Sequence, residues 1–347
     1  MAKKGFFKRA SLRALYFLLV ILLLIVAGEI TARAMGFRPW KPQVQTIKVE
    51  PEGRFFQDDA LLGYKGKPGH FKLLLQDSLK FEVTHNSEGW RICMPDTIAA
   101  DTRPEIWIFG CSFTHGYGVN DSENFPWLLQ TEFQQFKVLN YGMDGYGTLQ
   151  NWLQMKKLLD QGRKPALVIL AYGAFHDQRN TANRYWRKAL HGQEIAEDIS
   201  YPFIRLNDKD SLITQYSKLD YHPLPTQTWL ALPSLIEENW NKNEDAGLRS
   251  NFVTEALIEK MNVASANVSA KFLLAGIYQH PETSKMLKIF HLANTPTVEI
   301  SQDLNRPELR ILPGNGHPNA AAHQLMANQL ISYLKENQNL LGVSSEE

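Results

Sequence analysis

The run Ala166-Leu-Val-Ile-Leu-Ala-Tyr172 is apolar throughout. A strand that is apolar on both faces must be buried on both, which is the condition of a strand inside a parallel sheet covered by helices. The flanking sequence repeats the same theme. Strands are predicted at 106–110, 137–140, 271–277 and 297–300, and helices at 125–136, 148–159, 252–263, 285–292 and 320–334. Pro126 suits the first turn of its helix. Thr148 is a candidate cap for the next, whose apolar side carries Leu149, Trp152, Leu153, Met155 and Leu158. Repeated βα units imply α/β architecture, a parallel sheet with helices on both faces.

Two stretches break the alternation. Residues 38–100 are punctuated by Pro39, Pro42, Pro51, Pro68 and Pro95. His70–Thr84 alternates as a hairpin does, with Asp77-Ser78 as its turn, and Asn86-Ser-Glu-Gly89 forms another turn. Phe55, Phe56, Tyr64, Phe71, Phe81 and Trp90 argue for a packed β-rich lead-in rather than a disordered tether. Residues 179–250 are too long for an ordinary loop. They follow a strand's carboxyl end, so they are expected to overhang a site as a lid or substrate platform, or else to form a surface excursion.

The N-terminus is basic, with Lys3, Lys4, Lys8, Arg9 and Arg13 and no acid, and is followed by an uninterrupted apolar run from Ala14 to Gly28. With Glu29 and Arg33 reaching the headgroups, Leu12–Ala32 is long enough to span a bilayer. The basic flank then stays in the cytoplasm. The alternative is a cleaved signal peptide ending at Ala32-Arg-Ala34. A retained anchor is the favoured expectation, giving a single-pass protein of the cytoplasmic membrane with its main domain on the periplasmic or extracellular side. The expected organisation is a basic cytoplasmic segment at 1–13, the anchor at 14–35, the lead-in at 36–104 and the α/β domain at 105–340, with the insertion at about 179–250. A net charge of +1 gives no reason to expect a nucleic-acid partner. Cys93 and Cys111 have no metal-type spacing and are either one disulfide or two free thiols.

Ser112 follows the first predicted strand in Gly110-Cys-Ser112, at the strand end where open α/β sheets place their ligands. Three further blocks belong at the same edge: Asn140–Gly147, Tyr172–Asn180 and Gly314–His323. A serine that attacks an acyl group needs a base, for which His317 is the candidate. The resulting oxyanion needs donors. The backbone N–H groups of Ser112 and Gly145 can supply two, and a side chain from the third block a further one. His115 shares the Ser112 loop and is expected to be a loop or substrate contact. His323 is expected to be a packing or surface histidine. No zinc site or cofactor is expected.

With these blocks in place, the chain resembles the SGNH/GDSL hydrolase superfamily over about Ile106–Leu334. The G-D-S block appears as Gly110-Cys111-Ser112, the glycine block as Gly145 and its surroundings, the G-x-N-D block loosely as Gly173-Ala-Phe-His-Asp177, and the histidine block as Gly-His317-Pro-Asn. Residues 58–91 look like the lead-in of exported, membrane-anchored bacterial members. The resemblance implies a three-layer α/β/α flavodoxin-like sheet and ester hydrolysis or acyl transfer without metal. It casts Ser112 as nucleophile and His317 as base. Asn315 stands where the family carries its acid, and His176 or Asn180 takes the place of the absent oxyanion asparagine. Asp144 or Asp177 is the remaining acid that would stand in. The substrate class is an acylated small molecule or polysaccharide. An O-acyltransferase and a weakly catalytic, membrane-tethered glycan-binding protein are the alternatives.

Overall fold

The structure is a computed structural model that describes residues 2–42, 46–94, 101–191, 193, 199–312 and 315–342, with side chains from Leu12 onward. Pro95 of the lead-in and Gly314 of the histidine block lie outside the described residues. A long helix α1 (Ala2–Ala34) is followed by short strands β1 (Ile47–Glu50), β2 (Phe56–Asp59), β3 (Gly63–Gly66), β4 (Gly69–Leu75) and β5 (Leu79–His85). The α/β part opens with β6 (Glu105–Phe109), α2 (Ser112–His115), α3 (Phe125–Glu132), β7 (Lys137–Asn140), α4 (Thr148–Asp160), β8 (Leu167–Tyr172) and α5 (Phe175–Asn180). After it come α6 (Arg184–Leu190), the hairpin β9 (Tyr201–Leu206) and β10 (Leu212–Ser217), and α7 (Leu232–Leu248). The chain closes with α8 (Ser250–Asn267), β11 (Lys271–Gly276), α9 (Pro281–Leu292), β12 (Thr297–Glu299), β13 (Arg310–Leu312), β14 (Asn315–Pro318) and α10 (Ala320–Glu336). Two compact units result. One holds 1–43 with 220–247, and the other holds 44–219 with 248–347.

In the larger unit the main sheet is parallel throughout, in the order β7-β6-β8-β11-β12. Counted from its first strand this is the 2-1-3-4-5 order of a flavodoxin-like sheet. Side-chain alternation divides it cleanly between two cores. Ile106, Ile108, Leu167, Ile169, Ala171, Leu273 and Ala275 pack with Phe125 and Leu129 of α3 and Met326, Leu330 and Leu334 of α10. Trp107, Phe109, Val168, Leu170, Phe272 and Leu274 pack on the opposite side with Met155 of α4 and Ile258 and Met261 of α8. The expected three layers are present.

Two local expectations need correction. Helix α3 stops at Glu132 instead of reaching Phe136, because buried Gln130 closes the turn in place of further helical bonds. Its Nε2 donates to the Phe136 carbonyl at 3.0 Å and its Oε1 accepts from Val138 N at 2.9 Å. Thr148 is not the cap of α4. Gly147 holds that position, with its N–H given to Gln150 Oε1 at 3.1 Å. A side chain there would collide with Asn180 Oδ1, 2.5 Å from an added Cβ. Cys93 and Cys111 are both free and buried.

The lead-in is a three-stranded antiparallel sheet β1-β4-β5 beside the hairpin β2-β3. Arg91, at its end, binds it to the α/β domain. A guanidinium has five N–H donors, and here all are spent. Nε donates to Asp121 Oδ1 at 2.9 Å. Nη1 donates to the carbonyls of His115 at 2.8 Å and Gly116 at 2.5 Å, and Nη2 to those of Val119 at 2.7 Å and Glu82 at 3.0 Å. The side chain is fully enclosed. Arg91→Ala would take the guanidinium from three carbonyls of the loop that follows Ser112 and leave the Asp121 carboxylate without its cation. Breaking a buried charge pair from one side costs about 3–5 kcal/mol. Urea unfolding of the full-length protein in detergent should show a loss of that size, with a matching fall in any activity.

Candidate active site

Gly110 lets β6 end in a turn no larger residue would permit, since a Cβ there would collide with Thr114 Oγ1. Ser112 then begins the single turn α2, and its carbonyl accepts from Gly116 N at 2.9 Å and Tyr117 N at 3.0 Å. His317 comes from the other end of the domain, on β14 just before α10, whose first turn is capped by Asn319 accepting from Ala322 N at 3.1 Å. The two meet at the carboxyl edge of the sheet, with Ser112 Oγ 2.9 Å from His317 Nε2.

Asn315 completes the line. Its Oδ1 lies 2.6 Å from His317 Nδ1 and 3.1 Å from His317 N. A backbone N–H only donates, so the Asn315 atom facing it is the amide oxygen. Nδ1, facing the same oxygen, therefore carries the ring proton. Nε2 is left with its lone pair toward Ser112 Oγ, the tautomer a base requires. The ring sits between Phe113 and Tyr117, with centroids at 5.4 and 4.8 Å. Burial pushes its pKa down to about 4; the Asp144 charge works upward, and Arg179 adds to the fall.

Gly145 has a left-handed backbone, φ 76°. Tyr64 donates to the carbonyl of Asp144, and Tyr201 to that of Gly145 at 3.2 Å, so this turn is held from its carbonyl side. Ser112, Asp144, Gly145, Arg179 and His317 line one cavity of about 280 Å³. Phe55, Phe56, Tyr117, Trp186 and Leu190 give it apolar walls, drawn partly from the lead-in and partly from the segment after β8. A second cleft, of about 430 Å³, runs along Trp90–Met94 and Lys137–Asn140 and contains none of the site residues. Cys93 lines it, but burial pushes that thiol up to about 12, so it is no thiolate nucleophile at neutral pH.

The structure does not bring the expected side-chain oxyanion donors to Ser112. Asn180 is wholly buried and committed, with Oδ1 accepting from Leu149 N at 2.9 Å and Nδ2 donating to Thr254 Oγ1 at 2.8 Å. His176 is buried against Tyr172 and Phe175, with Nδ1 3.2 Å from Thr148 Oγ1, and does not line the cavity. Both side chains serve the packing of α5. Asp177 is the acceptor of the Tyr172 hydroxyl at 3.0 Å and likewise does not line the cavity. His323 packs, stacked on Phe125 with its Nδ1 3.3 Å from Phe125 N.

Arg179 is the cavity residue the sequence reading missed. It lies between the two expected donors, with its guanidinium over Phe175 at 4.4 Å and Trp186 at 4.7 Å and its Nη1 donating to Tyr146 O at 2.9 Å. Its Nε is buried and makes no hydrogen bond among the described residues. A buried chain behind the cavity was also not foreseen. His115 is no substrate contact. Its Nε2 lies 2.9 Å from His85 Nε2, and its Nδ1 lies 3.1 Å from Asp144 Oδ1, a close approach rather than an aligned hydrogen bond. Burial pushes the Asp144 carboxyl up, but His115, then His317 and Arg91, outweigh it and leave the pKa below the ordinary value. Asp144 is thus an anion on the wall of the cavity that His317 also lines. No group of three His, Cys, Asp or Glu among the described residues is arranged for a metal.

Parallel order 2-1-3-4-5, a serine after the first strand, and a histidine before the last helix in contact with it decide the architecture. The chain has a flavodoxin-like three-layer α/β/α fold, as the SGNH/GDSL resemblance implies. Among solved structures it is similar to a lipolytic G-D-S-L protein from Veillonella parvula, at 13% identity over 66% of this chain and 96% of that one, TM-score 0.39. It is similar to a G-D-S-L lipolytic protein from Desulfitobacterium hafniense at 14% identity, over 67% and 100% of the two chains, TM-score 0.39. A family two carbohydrate esterase from Clostridium thermocellum is similar at 10% identity over 70% and 67%, TM-score 0.38. No protein-family model and no curated protein matches the chain.

The environment of His317 has a pH signature. A base works only when deprotonated, so kcat/KM on an aryl ester should fall as pH drops through its pKa. The acid-side inflection should lie below the ordinary value of about 6.5 for histidine, toward about 4. Asp144→Asn removes the charge that raises it and should move the inflection further down. An inflection at about 6.5 or above in the wild type would contradict the enclosed ring.

Proposed function

We propose that this chain is a membrane-tethered serine hydrolase of ester (O-acyl) bonds that works through an acyl-enzyme. The observation that carries the proposal is the 2.9 Å contact of Ser112 Oγ with the unprotonated nitrogen of His317, at a cavity with apolar walls. Ser112 Oγ attacks the acyl carbonyl while His317 Nε2 takes its proton. The tetrahedral oxyanion is received by the N–H groups of Ser112 and Gly145. His317 returns the proton to the departing alcohol, leaving the acyl group on Ser112. A water, deprotonated by His317 in turn, attacks the acyl carbon; the bond to Ser112 Oγ breaks as His317 returns the proton to Oγ, and the acid is released. The proposed substrate is an acylated exported or envelope polysaccharide, or a small ester, on the side of the membrane opposite the basic N-terminal flank.

Asn315 modifies the expectation for rate. In a serine protease the Asp-to-Asn change costs about four orders of magnitude because it leaves the wrong histidine tautomer. Here Asn315 accepts from Nδ1, so the tautomer is right and only the full negative charge is missing. Asn315→Asp supplies that charge and should raise kcat on an aryl ester about tenfold at neutral pH. Asn315→Leu, which frees the ring to rotate, should lower it. An unchanged rate in both variants would remove Asn315 from the catalytic line.

The direct test is the pair. Residues that act as a unit are strongly non-additive. Ser112→Ala, His317→Ala and the double variant of the full-length protein in detergent should share one low residual ester hydrolysis rate, with melting temperatures near wild type. Wild-type turnover in Ser112→Ala would end the hydrolase reading. Ester inertness of the wild type, with acylated glycan binding unaffected by Ser112→Ala, would favour a binding protein. The apolar walls given by Phe55, Phe56 and Trp186 favour a second reading, acyl transfer to a sugar hydroxyl. It would show as acylated acceptor formed in preference to free acid when glycan is supplied.

A further inference from the structure

The smaller unit joins two segments some two hundred residues apart. Helix α1 contains Leu12–Ala34, apolar enough to cross a membrane at mean hydropathy 2.5 and largely exposed from Leu12 to Ala27. Leu15, Leu19, Leu22 and Leu24 are each more than half exposed, so something outside the protein must cover them. Near the end of this helix the Glu29 carboxylate is shared three ways. It takes Arg33 Nε at 2.6 Å, Ala231 N at 3.0 and 2.8 Å through its two oxygens, and Leu232 N at 2.9 Å. The first N–H groups of a helix have no partner within it, and Glu29 supplies the acceptor for the start of α7. Gly28 lets Leu232 close in, its side chain 3.1 Å from where a Cβ would be. Beyond the helix, Trp40 N donates to Gln227 O at 2.8 Å, and the Trp40 ring meets Tyr221 edge-on at 5.4 Å.

These contacts set a depth. The uncharged stretch from Ala14 to Gly28 rises about 1.5 Å per residue and so accounts for most of a hydrocarbon core about 30 Å thick. Glu29 and Arg33 then lie at the boundary with the headgroups. Ala231 and Leu232, bonded to Glu29, lie at the same level. Trp229, two residues before Ala231, is 76% exposed. Ile236 follows Leu232 by one helical turn and Trp240 follows Ile236 by another, so the three share a face of α7. Ile236 and Trp240 are each about half exposed. Another side of α7 carries buried Glu237, which accepts from the Tyr221 hydroxyl at 2.6 Å and from Gln227. Tryptophan at a boundary of this kind is the residue membranes select for their interfacial belts.

We propose that residues 224–240 are seated in the lipid interface beside α1, with Trp229 and Ile236 entering the headgroup–acyl boundary. The occupant of this face is lipid because the face is continuous with α1, whose exposed leucines already require a bilayer. The same contacts make α1 a retained part of the fold: cleavage after Ala34 would take away the Glu29 carboxylate that holds the start of α7.

The test uses the full chain in phosphatidylcholine–phosphatidylglycerol vesicles. A nitroxide is attached at Trp229→Cys or Ile236→Cys and compared with one at Lys209→Cys, an exposed site on the β9–β10 turn. Labels at 229 and 236 should relax several-fold more with oxygen, which concentrates in lipid, than with a water-soluble nickel chelate, and the label at 209 should show the reverse. Nickel access at 229 equal to that at 209 would overturn the proposal. Shielding from both relaxants would also overturn it, because a second copy would then cover the face. A measurement without cysteine substitution stands beside it. Brominated phosphatidylcholine should quench part of the wild-type tryptophan emission, and Trp229→Phe should remove much of that quenching. Intact mass of the membrane-extracted protein should include residues 2–34, and a chain beginning after Ala34 would contradict the retained helix.

Discussion

The geometry around Ser112 depends on one buried guanidinium. Arg91 gives all five donors to groups around the loop after the serine. His115, Gly116 and Val119 turn their carbonyls toward it, in a loop that lies outside the sheet and draws on no strand ladder for N–H groups. An arginine meets them with a rigid planar fork, which a lysine could not match. The lead-in that carries Arg91 is therefore part of the α/β domain's structure. It also provides Phe55 and Phe56 to the cavity wall, so the same region that holds the Ser112 loop shapes the space in front of it.

Electrostatics in this site are divided among residues that a single aspartate usually unites. Asn315 orients the imidazole and fixes its tautomer without charge. The anion that acts on the base is Asp144, on the cavity wall, which in turn leans on His115. His85 Nδ1 faces the Lys67 carbonyl at 3.0 Å and must donate to it, so its other nitrogen accepts from His115 Nε2. His115 Nδ1 is left facing the Asp144 carboxylate at 3.1 Å. Burial of the imidazole then dominates, and a base with a low pKa is the consequence. Such a base is already deprotonated in neutral or mildly acidic surroundings.

Most of the sheet was legible in the sequence because its strands are buried on both faces and hence apolar without interruption. Ser112 and His317 were legible because each sits at a glycine-marked junction between strand and helix, where topology alone brings them to one edge. His176 and Asn180 were misplaced because a helix of six residues points its side chains around the full circle. Chain order does not tell which of them face α4 and which face the cavity. Arg179, between them, is the one that lines it. The partnership of His115 with His85 and Asp144 joins residues far apart on three segments and leaves no periodic trace. Residues 220–247 read as one more piece of an insertion near the site. Their grouping with α1 includes one carboxylate, Glu29, accepting two backbone N–H groups about two hundred positions away, a pairing that leaves no pattern in the sequence.

The central claim is that Ser112 is a nucleophile made reactive by His317. An aryl phosphonate that mimics the tetrahedral intermediate tests it most directly, with intact-mass and peptide mapping of the full-length protein. The account predicts one adduct per chain, on Ser112, forming with a rate that falls as pH drops through the His317 pKa and disappearing in His317→Ala. An adduct on any other residue, or none on a folded wild-type protein, would contradict it.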